Sequence, residues 1–358
     1  MMRIAITGAS GNIGTALLRR LTAGSEHQVV GVARRVPDGG EPYAAASWHG
    51  VDLSADDAAV RLAEPFAGVD AVVHLAWAFQ PSHDVAYLRR LGVGGTAAVL
   101  QAARTAGVRH LVHMSSVGAY SAAPHRRVDE SAARDGIATL AYSRHKAEAE
   151  RLLDRYEQQN AGKPAMVVSR LRPGFVVQPD AASGLLRYGL PGYVPARIVT
   201  LLPVLPLDGR LSIPVVHSDD LADGIVRVLG RRAAGAFNFA GEPPITRDDI
   251  AEAMGARPVQ VPAKLLSLLA AAGWHARLQA LDPGWIDLAF SVPLIDTGRA
   301  RAELDWAPAV DAREALRQTL AAMAHRQGTA SPVLRVRSGL DQLRKLLTAG
   351  PLGNRRLP

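Results

Sequence analysis

Cysteine is absent from this chain of 358 residues, and lysine is nearly absent. Without cysteine, disulfides, thiolate metal sites and cysteine nucleophiles are excluded, and no metal site is predicted. Long apolar runs are also missing, because prolines interrupt residues 201–207 and the run 265–273 is too short to cross a bilayer. The first residues reach a glycine-rich loop too early for a signal peptide. We therefore expect a cytoplasmic protein with no membrane partner.

The positive charge is carried almost entirely by arginine, since lysine occurs at only four positions while the formal net charge is +8. The arginines are scattered in short clusters, and no aromatic residues interleave with them to stack on nucleic-acid bases. We therefore expect a small-molecule substrate and no nucleic-acid partner.

Apolar segments that read as buried strands alternate with helical patterns through the first half of the chain. The strand-like segments are residues 3–7, 28–33, 69–75, 108–114 and 165–171, and the helical ones are 12–23, 84–106 and 141–159. Continuous apolar runs are typical of parallel strands that are covered on both faces. The pattern predicts an α/β fold, a Rossmann-type doubly wound parallel sheet with a smaller, mainly C-terminal substrate-binding subdomain.

The domain organisation follows from where this alternation stops. We predict a Rossmann domain over residues 1–172, completed by about 211–240, and a substrate-binding subdomain over 173–210 and 241–325. Residues 326–358 are predicted to form a basic tail, for which a disordered extension is favoured over an oligomer-contact arm. A homodimer is the assembly that the sequence leaves open.

Three glycines follow the first predicted strand at three-residue spacing, at Gly8, Gly11 and Gly14. Gly8 permits a tight turn, Gly11 lets the backbone approach phosphates, and Gly14 allows the helix to pack closely on the strand. A pyrophosphate then meets the start of the helix at Asn12 and Ile13, where free N–H groups and the helix dipole favour negative charge. The position of the loop after the first strand of a βαβ unit favours dinucleotide binding over a structural turn.

The end of the second predicted strand indicates which dinucleotide is bound. An acidic residue there would bind the ribose 2′-hydroxyl of NAD, whereas this chain has Arg34 and Arg35. Guanidinium groups suit a phosphate dianion by charge and by geometry, so NADP is favoured, with NAD as the alternative. Asp52 and Leu53, after the presumed third strand, are candidate contacts of the adenine, although an aspartate at a strand end has an equally good structural explanation.

Tyr142 and Lys146 lie four residues apart, on one face of a predicted helix. A lysine beside a tyrosine lowers the pKa of the phenol towards the working pH, which makes the phenol a proton donor to a carbonyl. Ser116, just after the predicted strand 108–114, would hydrogen-bond the substrate oxygen as charge develops there. Because lysine is so scarce, we prefer this interpretation to that of an accidental surface pair.

The motifs and their order resemble those of the extended short-chain dehydrogenases/reductases, the NAD(P)-dependent epimerase/dehydratase family. The resemblance covers about residues 2–325 and includes His74-Leu75-Ala76, Met114-Ser115-Ser116 with Tyr120, Leu171-Arg172-Pro173, Val216-His217-Ser218-Asp219-Asp220, Asp296-Thr297 and Leu304-Asp305-Trp306. It implies that Ser116, Tyr142 and Lys146 are the catalytic residues.

Further roles are implied by the same resemblance. Leu75, Ala76 and Pro173 are expected to line the nicotinamide side of the site, and Lys146 is expected to bind the nicotinamide ribose. His217 and Asp220 are expected to be structural, holding the loop before a helix, rather than catalytic.

Departures from the family pattern bear on the substrate. Members that act on nucleotide sugars carry an asparagine and a Tyr-Gly pair where this chain has the apolar stretch 174–179, and Gly92 replaces another expected asparagine. Trp77 and Phe79 either add apolar bulk near the hydride site or merely pack under a loop. An apolar pocket favours a small or hydrophobic carbonyl compound over a sugar nucleotide.

The leading hypothesis is an NADP-dependent reductase or dehydrogenase of the extended short-chain type. A nucleotide-sugar epimerase or dehydratase that keeps NAD tightly bound is the first alternative. A protein that senses NAD(P) without catalysis is the second, because a fold does not determine a function.

Overall fold

The structure is a computed structural model, and it describes residues 1–24, 27–78, 82–182, 202–276, 281–325 and 327–335. Its strands are Arg3–Thr7 (β1), Gln28–Ala33 (β2), Ala46–Gly50 (β3), Ala71–His74 (β4), His110–Met114 (β5), Arg127–Val128 (β6), Val167–Pro173 (β7), Phe175–Val177 (β8), Val204–Leu207 (β9), Ser212–Ile213 (β10), Val215–His217 (β11), Gly235–Phe239 (β12), Ile245–Thr246 (β13), Arg257–Gln260 (β14) and Leu294–Ile295 (β15).

The helices of the described residues are Asn12–Thr22 (α1), Ala58–Arg61 (α2), Ala63–Phe66 (α3), Val85–Arg89 (α4), Gly95–Thr105 (α5), Ala141–Gln159 (α6), Ser218–Arg231 (α7), Arg247–Met254 (α8), Ala263–His275 (α9), Gly284–Ser291 (α10), Gly298–Leu304 (α11) and Ala312–Ala324 (α12). None of them combines the length and the apolar character that crossing a membrane requires.

Seven strands form one sheet in the order β12-β7-β5-β4-β1-β2-β3, and every neighbouring pair is parallel. This confirms the predicted Rossmann-type doubly wound sheet. Parallel pairing brings the carboxyl ends of all seven strands to one edge, where ligands of such sheets bind. The shorter strands form two-stranded pairs, β8 with β11, β9 with β14, β6 with β15 and β10 with β13.

Side chains of β1 alternate between two hydrophobic layers, as the two-residue period of a strand requires. Ile4 and Ile6 pack with residues of α1 and α7 on one face. Ala5 packs with residues of α5 and α6 on the other face. All three side chains are fully buried, so the sheet is covered on both sides and its functional groups are confined to the carboxyl edge.

Two segments differ from the sequence prediction. The single helix expected over residues 84–106 is interrupted by a π-helical turn at Arg90–Gly94, between α4 and α5. The disordered extension favoured from about residue 326 is not found over residues 327–335, where Ser331 is fully buried and Leu334 is 4% exposed. Hydrogen bonds to the body of the protein hold this segment, and the predicted tail beyond residue 335 lies outside the described residues.

Candidate active site at the carboxyl edge of the sheet

The glycine loop after β1 has the shape that its spacing predicts. Gly8 has a φ of +75°, and a Cβ there would lie 2.7 Å from the backbone nitrogen of Ala76. A Cβ on Gly14 would lie 2.4 Å from the carbonyl oxygen of Ala9. Only glycine fits at both positions, so the loop passes directly beside the end of β4 and the predicted cofactor residues Leu75 and Ala76.

The start of α1 presents backbone N–H groups at this loop. The first backbone hydrogen bond of the helix runs from Thr15 N–H to the Gly11 carbonyl (2.9 Å), which directs the N–H groups of Asn12, Ile13 and Gly14 out of the helix end. The Asn12 side chain is engaged elsewhere, because it donates to the Val176 carbonyl (3.0 Å). Asn12 therefore offers a pyrophosphate its backbone N–H, and the loop fits such a group.

The structure places Arg34 and Arg35 just beyond β2, both exposed. Arg34 donates a hydrogen bond to the Tyr87 hydroxyl (2.8 Å). The predicted adenine contacts are less open, since Asp52 accepts two hydrogen bonds from Ser54. Leu53 is 5% exposed, so its side chain belongs to the core under the adenosine end.

The three candidate catalytic residues lie together at the other end of the same edge. Ser116 follows β5, and its hydroxyl is hydrogen-bonded to the phenol of Tyr142 on α6. The Ser116 oxygen also accepts a hydrogen bond from the Gly118 N–H (3.0 Å), which fixes its orientation. Lys146, one helical turn after Tyr142, is buried and donates to the Met114 carbonyl (2.7 Å).

The pKa of Tyr142 differs from the sequence prediction. Lys146 was expected to lower it, whereas burial raises the pKa of Tyr142 to about 12, with the hydrogen bond to Ser116 acting in the opposite direction. Burial also lowers the pKa of Lys146 well below its usual value. The phenol therefore keeps its proton at neutral pH.

Trp77 lies over the ammonium group of Lys146. The Nζ atom is 3.6 Å from the centre of the indole but 5.9 Å from the centre of the Tyr142 ring. The indole reaches this position past Gly92, where a Cβ would lie only 2.9 Å from the ring. The Trp77 indole therefore covers the Nζ atom of Lys146.

Trp285, on α10, is a site residue that the sequence did not reveal. Its ring centre lies 5.0 Å from that of Tyr142, and the ring of Trp77 stands edge-on to Tyr142 at 6.3 Å. Of the two explanations given for Trp77, the structure supports apolar bulk beside the phenol. Phe79 lies outside the described residues.

A buried ion pair between Glu150 and Arg172 links the elements that carry the candidate catalytic residues. Glu150 is fully buried on α6 and accepts hydrogen bonds from Arg172 (2.6 and 2.8 Å) and from Ser115 (2.5 Å). The network ties α6, β5 and β7 together, so it sets the position of Tyr142 relative to Ser116. Pro173 follows Arg172 at the end of β7 and is buried at the same edge.

His74, the last residue of β4, is hydrogen-bonded to threonines of β1 and α5. Its Nδ1 lies 2.7 Å from the Thr7 hydroxyl and its Nε2 3.1 Å from the Thr96 hydroxyl. Since Thr96 donates its own proton to the Gly92 carbonyl, Nε2 of His74 must carry the proton. Burial lowers the pKa of His74 to about 3, which keeps the ring neutral.

His217 and Asp220 make structural contacts. His217 caps α7 by accepting the Asp219 N–H at Nδ1 (3.2 Å). The Asp220 carboxylate accepts the N–H groups of Ala309 and Val310. Among the described residues, no cluster of histidine and carboxylate side chains has the arrangement of a metal site.

Comparison with known families gives one match over most of the chain. The model of the NAD dependent epimerase/dehydratase family matches residues 4–240, which contain the glycine loop, Ser116, Tyr142 and Lys146.

Two curated relatives are similar in sequence. An uncharacterised protein of Mycobacterium tuberculosis (strain H37Rv), Rv2047c, is 28% identical over 333 residues, which cover 91% of this chain and 31% of that protein. The chain therefore spans about a third of the length of this relative. Sterol demethylase protein B of Methylococcus capsulatus is 33% identical over 227 residues, which cover 58% of this chain and 66% of that protein.

Solved structures share the fold at lower identity. UDP-glucose-4-epimerase from Stenotrophomonas maltophila, with bound NAD and formylated UDP-arabinopyranose, is 21% identical with a TM-score of 0.68, covering 91% of this chain and 98% of that one. UDP-glucose 4-epimerase from Bifidobacterium longum, in complex with NAD+ and UDP, is 17% identical with a TM-score of 0.67, covering 89% and 97%. The parallel sheet, the glycine loop and the family match together identify the chain as an extended short-chain dehydrogenase/reductase of the NAD dependent epimerase/dehydratase family.

Proposed function

We propose that the chain is an NADP-dependent reductase or dehydrogenase that acts on a small or hydrophobic carbonyl compound or the corresponding alcohol. The observation that carries this proposal is the environment of Tyr142. Its phenol is hydrogen-bonded to Ser116 and lies against the indoles of Trp77 and Trp285, which puts a proton donor inside an apolar pocket.

The chemistry follows from the protonation state of that phenol. The coenzyme, when bound, supplies or accepts the hydride. With a pKa of about 12, Tyr142 donates its proton to a carbonyl oxygen more readily than it removes one from an alcohol. Ser116 holds the same oxygen by a hydrogen bond, and Lys146, once the Trp77 indole leaves it, binds the nicotinamide ribose.

The polar groups of residues 174–179 support an apolar substrate. Gln178 carries the amide of this stretch, and its nitrogen donates to the Asn12 carbonyl and side-chain oxygen (both 2.7 Å). Its oxygen accepts from Arg19 (2.7 Å), so no part of this amide is left to bind a diphosphate. The similarity to a relative named for a sterol points in the same direction.

Arg34 and Arg35 support NADP over NAD. Both are exposed at the end of β2, where the 2′ position of the adenosine ribose lies in dinucleotide-binding folds. Among the described residues, neither has a carboxylate partner. A phosphate dianion would therefore meet two guanidinium groups whose charge is not already neutralised.

Coenzyme titration followed by a substrate panel tests the proposal. We expect NADPH to bind at least tenfold more tightly than NADH when coenzyme fluorescence is followed, and NADPH to be oxidised in the presence of apolar aldehydes or ketones. Equal binding of NADH, or turnover confined to sugar nucleotides, would contradict it.

A nucleotide-sugar epimerase or dehydratase is the second candidate, favoured by the family match over residues 4–240. Such an enzyme retains its coenzyme and returns the hydride. Purified protein that carries stoichiometric NAD and converts a UDP-sugar without added coenzyme would establish this candidate. NADPH binding without any turnover would instead favour a sensing protein.

A further inference from the structure

The segment 327–335 is hydrogen-bonded to the glycine loop of the coenzyme site. The Ser331 hydroxyl lies 2.6 Å from the carbonyl oxygen of Ser10. Both residues are buried, since Ser331 is 0% and Ser10 is 3% exposed. The same hydroxyl accepts the N–H of Val333 (3.2 Å), so the single proton of Ser331 is donated to Ser10, within the glycine loop.

The carbonyl that Ser331 binds belongs to the peptide unit immediately before the start of α1. The other end of this unit is the N–H of Gly11, which donates to the Gly8 carbonyl (2.9 Å). Because a trans peptide unit is planar, its C=O and N–H point in opposite directions, and the two hydrogen bonds fix its orientation from both sides. This unit therefore determines how the chain enters the helix end at which a pyrophosphate is expected to bind.

A second contact holds the same segment against α1. The Thr329 hydroxyl lies 2.8 Å from the Tyr43 hydroxyl, which in turn lies 3.0 Å from the Thr15 hydroxyl. Tyr43 is 1% exposed and Thr15 is fully buried in the first turn of α1. This contact keeps the segment beside the loop, so the effect of the Ser331 hydroxyl can be separated from that of the segment as a whole.

Removing the Ser331 hydroxyl would deprive the Ser10 carbonyl of this partner. Since Ser10 is buried, water cannot easily replace the lost donor, and buried carbonyl groups are almost always hydrogen-bonded. The peptide unit would then adopt further orientations, and the arrangement that accepts a pyrophosphate would be only part of the population. The apparent affinity for a dinucleotide falls in proportion to that fraction.

We propose that Ser331 is a positioning residue for coenzyme binding, which acts through the Ser10 carbonyl to hold the glycine loop in the arrangement that accepts a pyrophosphate. The inference rests on the proposed function in assuming that a dinucleotide binds at this loop. It extends the coenzyme site to a residue outside the range 4–240 that the family model matches.

Coenzyme titration of Ser331→Ala beside a matched serine variant tests the inference. The control is Ser169→Ala on β7, which also removes a buried hydroxyl that donates to a backbone carbonyl, that of Ala233 (2.5 Å). Binding of NADPH and of NADH, which share the pyrophosphate, is followed by coenzyme fluorescence. We expect Ser331→Ala to weaken the coenzyme that the wild type prefers about three- to tenfold, the equivalent of one net hydrogen bond. Ser169→Ala should leave its affinity within twofold.

Thermal unfolding of the same variants separates a positioning role from a merely structural one. Ser169→Ala should lower the thermal midpoint at least as much as Ser331→Ala, since the Ser169 oxygen also lies 2.7 Å from Nε2 of His110. Only Ser331→Ala should lose affinity for the coenzyme. Ser331→Cys retains a donor, although a weak one, and should lose less affinity than Ser331→Ala. It also supplies the measurement if the alanine variant does not fold.

Three results would overturn the inference. If Ser331→Ala binds the coenzyme as the wild type does, the loop does not need this hydrogen bond, and the proposed function still stands. Equal weakening in both serine variants would show a general loss of stability rather than positioning. A wild type that binds neither coenzyme would overturn the inference together with the proposed function. A wild type that prefers NADH contradicts only the NADP dependence, and the variants are then compared by their affinity for NADH.

Discussion

The two ends of the sheet's carboxyl edge are formed by different kinds of chemical group. At the adenosine end, the candidate binding groups are backbone atoms and exposed charges, with glycine required at Gly8 and Gly14 and guanidinium groups at Arg34 and Arg35. At the nicotinamide end, side chains from distant elements pack against the Tyr142 ring. On the proposed function, the difference teaches that charge selects the coenzyme, whereas burial sets the chemistry of the proton donor.

Removing the phenol should separate the two ends most clearly. Tyr142→Phe keeps the ring packing against Trp77 and Trp285 but deletes the proton, so we expect turnover to fall by about 10²–10⁴-fold. Affinity for NADPH should stay within twofold, because the adenosine end is untouched. Steady-state kinetics on a substrate from the panel measures the first, and coenzyme fluorescence the second. A loss below about tenfold would contradict a general-acid role for Tyr142.

Adding a Cβ atom within the glycine loop should instead lower the stability of the protein and its affinity for NADPH. In Gly14→Ala the new Cβ would meet the carbonyl oxygens of Ala9 and Gly8 at 2.4 and 2.5 Å. We expect a loss of about 3 kcal/mol in the free energy of unfolding and at least tenfold weaker NADPH binding. Gly230→Ala is the matched control, since it lies in α7 with open space around its Cβ position, and it should gain about 0.5–1 kcal/mol. Urea unfolding of both variants measures the contrast, and equal stabilities would refute it.

Lowering the pH should reduce the free energy of unfolding, because the three histidines of β4 and β5 are buried. Burial lowers the pKa of His74 to about 3, of His110 to about 4, and of His113 well below its usual value. The unfolded chain, with histidine pKa values near 6.5, takes up protons first as the pH falls. The free energy of unfolding is therefore highest above about pH 6.5 and decreases towards pH 4. Between pH 6.5 and pH 5 the decrease is about 2 kcal/mol for each of these histidines.

His113 isolates this effect, because both of its ring nitrogens are buried without a hydrogen-bond partner among the described residues. In His113→Phe, the difference in unfolding free energy between pH 7 and pH 5 should shrink by about 2 kcal/mol. The exposed His275→Gln is the control and should leave the difference unchanged. A pH dependence that is the same in all three proteins would argue against a neutral His113.

The smallest expected effect concerns the contact between Trp77 and Lys146. In Gly92→Ala the Cβ would lie 2.9 Å from the indole and push it off the ammonium, whose cation–π contact contributes about 1 kcal/mol. NADPH should then bind about three- to tenfold more tightly. Gly94→Ala, in the same π-helical turn with nothing near its Cβ position, should not change the affinity. Unchanged binding in both variants would show that the indole does not compete with the coenzyme.

Local features of this site could be predicted from the sequence. The glycine spacing after β1 and the four-residue interval between Tyr142 and Lys146 depend on near neighbours in the chain, and both lie where they were expected. The doubly wound parallel sheet was also predicted, because apolar runs alternating with helical patterns have few compact arrangements.

Long-range features could not be predicted in this way. Trp285 contacts Tyr142, more than 140 residues earlier in the sequence, and Ser331 is hydrogen-bonded to Ser10, 321 residues earlier. No local sequence pattern predicts either contact. The raised pKa of Tyr142 was missed for the same reason, since burial depends on the whole fold. Gly92 was noted only as a departure from the family, and its contact with Trp77 gives it a physical explanation.

A crystal structure of the NADPH complex tests most directly whether the two ends of the sheet's carboxyl edge bind the two ends of the coenzyme. We expect the 2′-phosphate to contact Arg34 or Arg35, the Trp77 indole to have left Lys146, and the Tyr142 hydroxyl to face the nicotinamide ring. A coenzyme bound away from the glycine loop, or a Tyr142 hydroxyl out of reach of that ring, would contradict it.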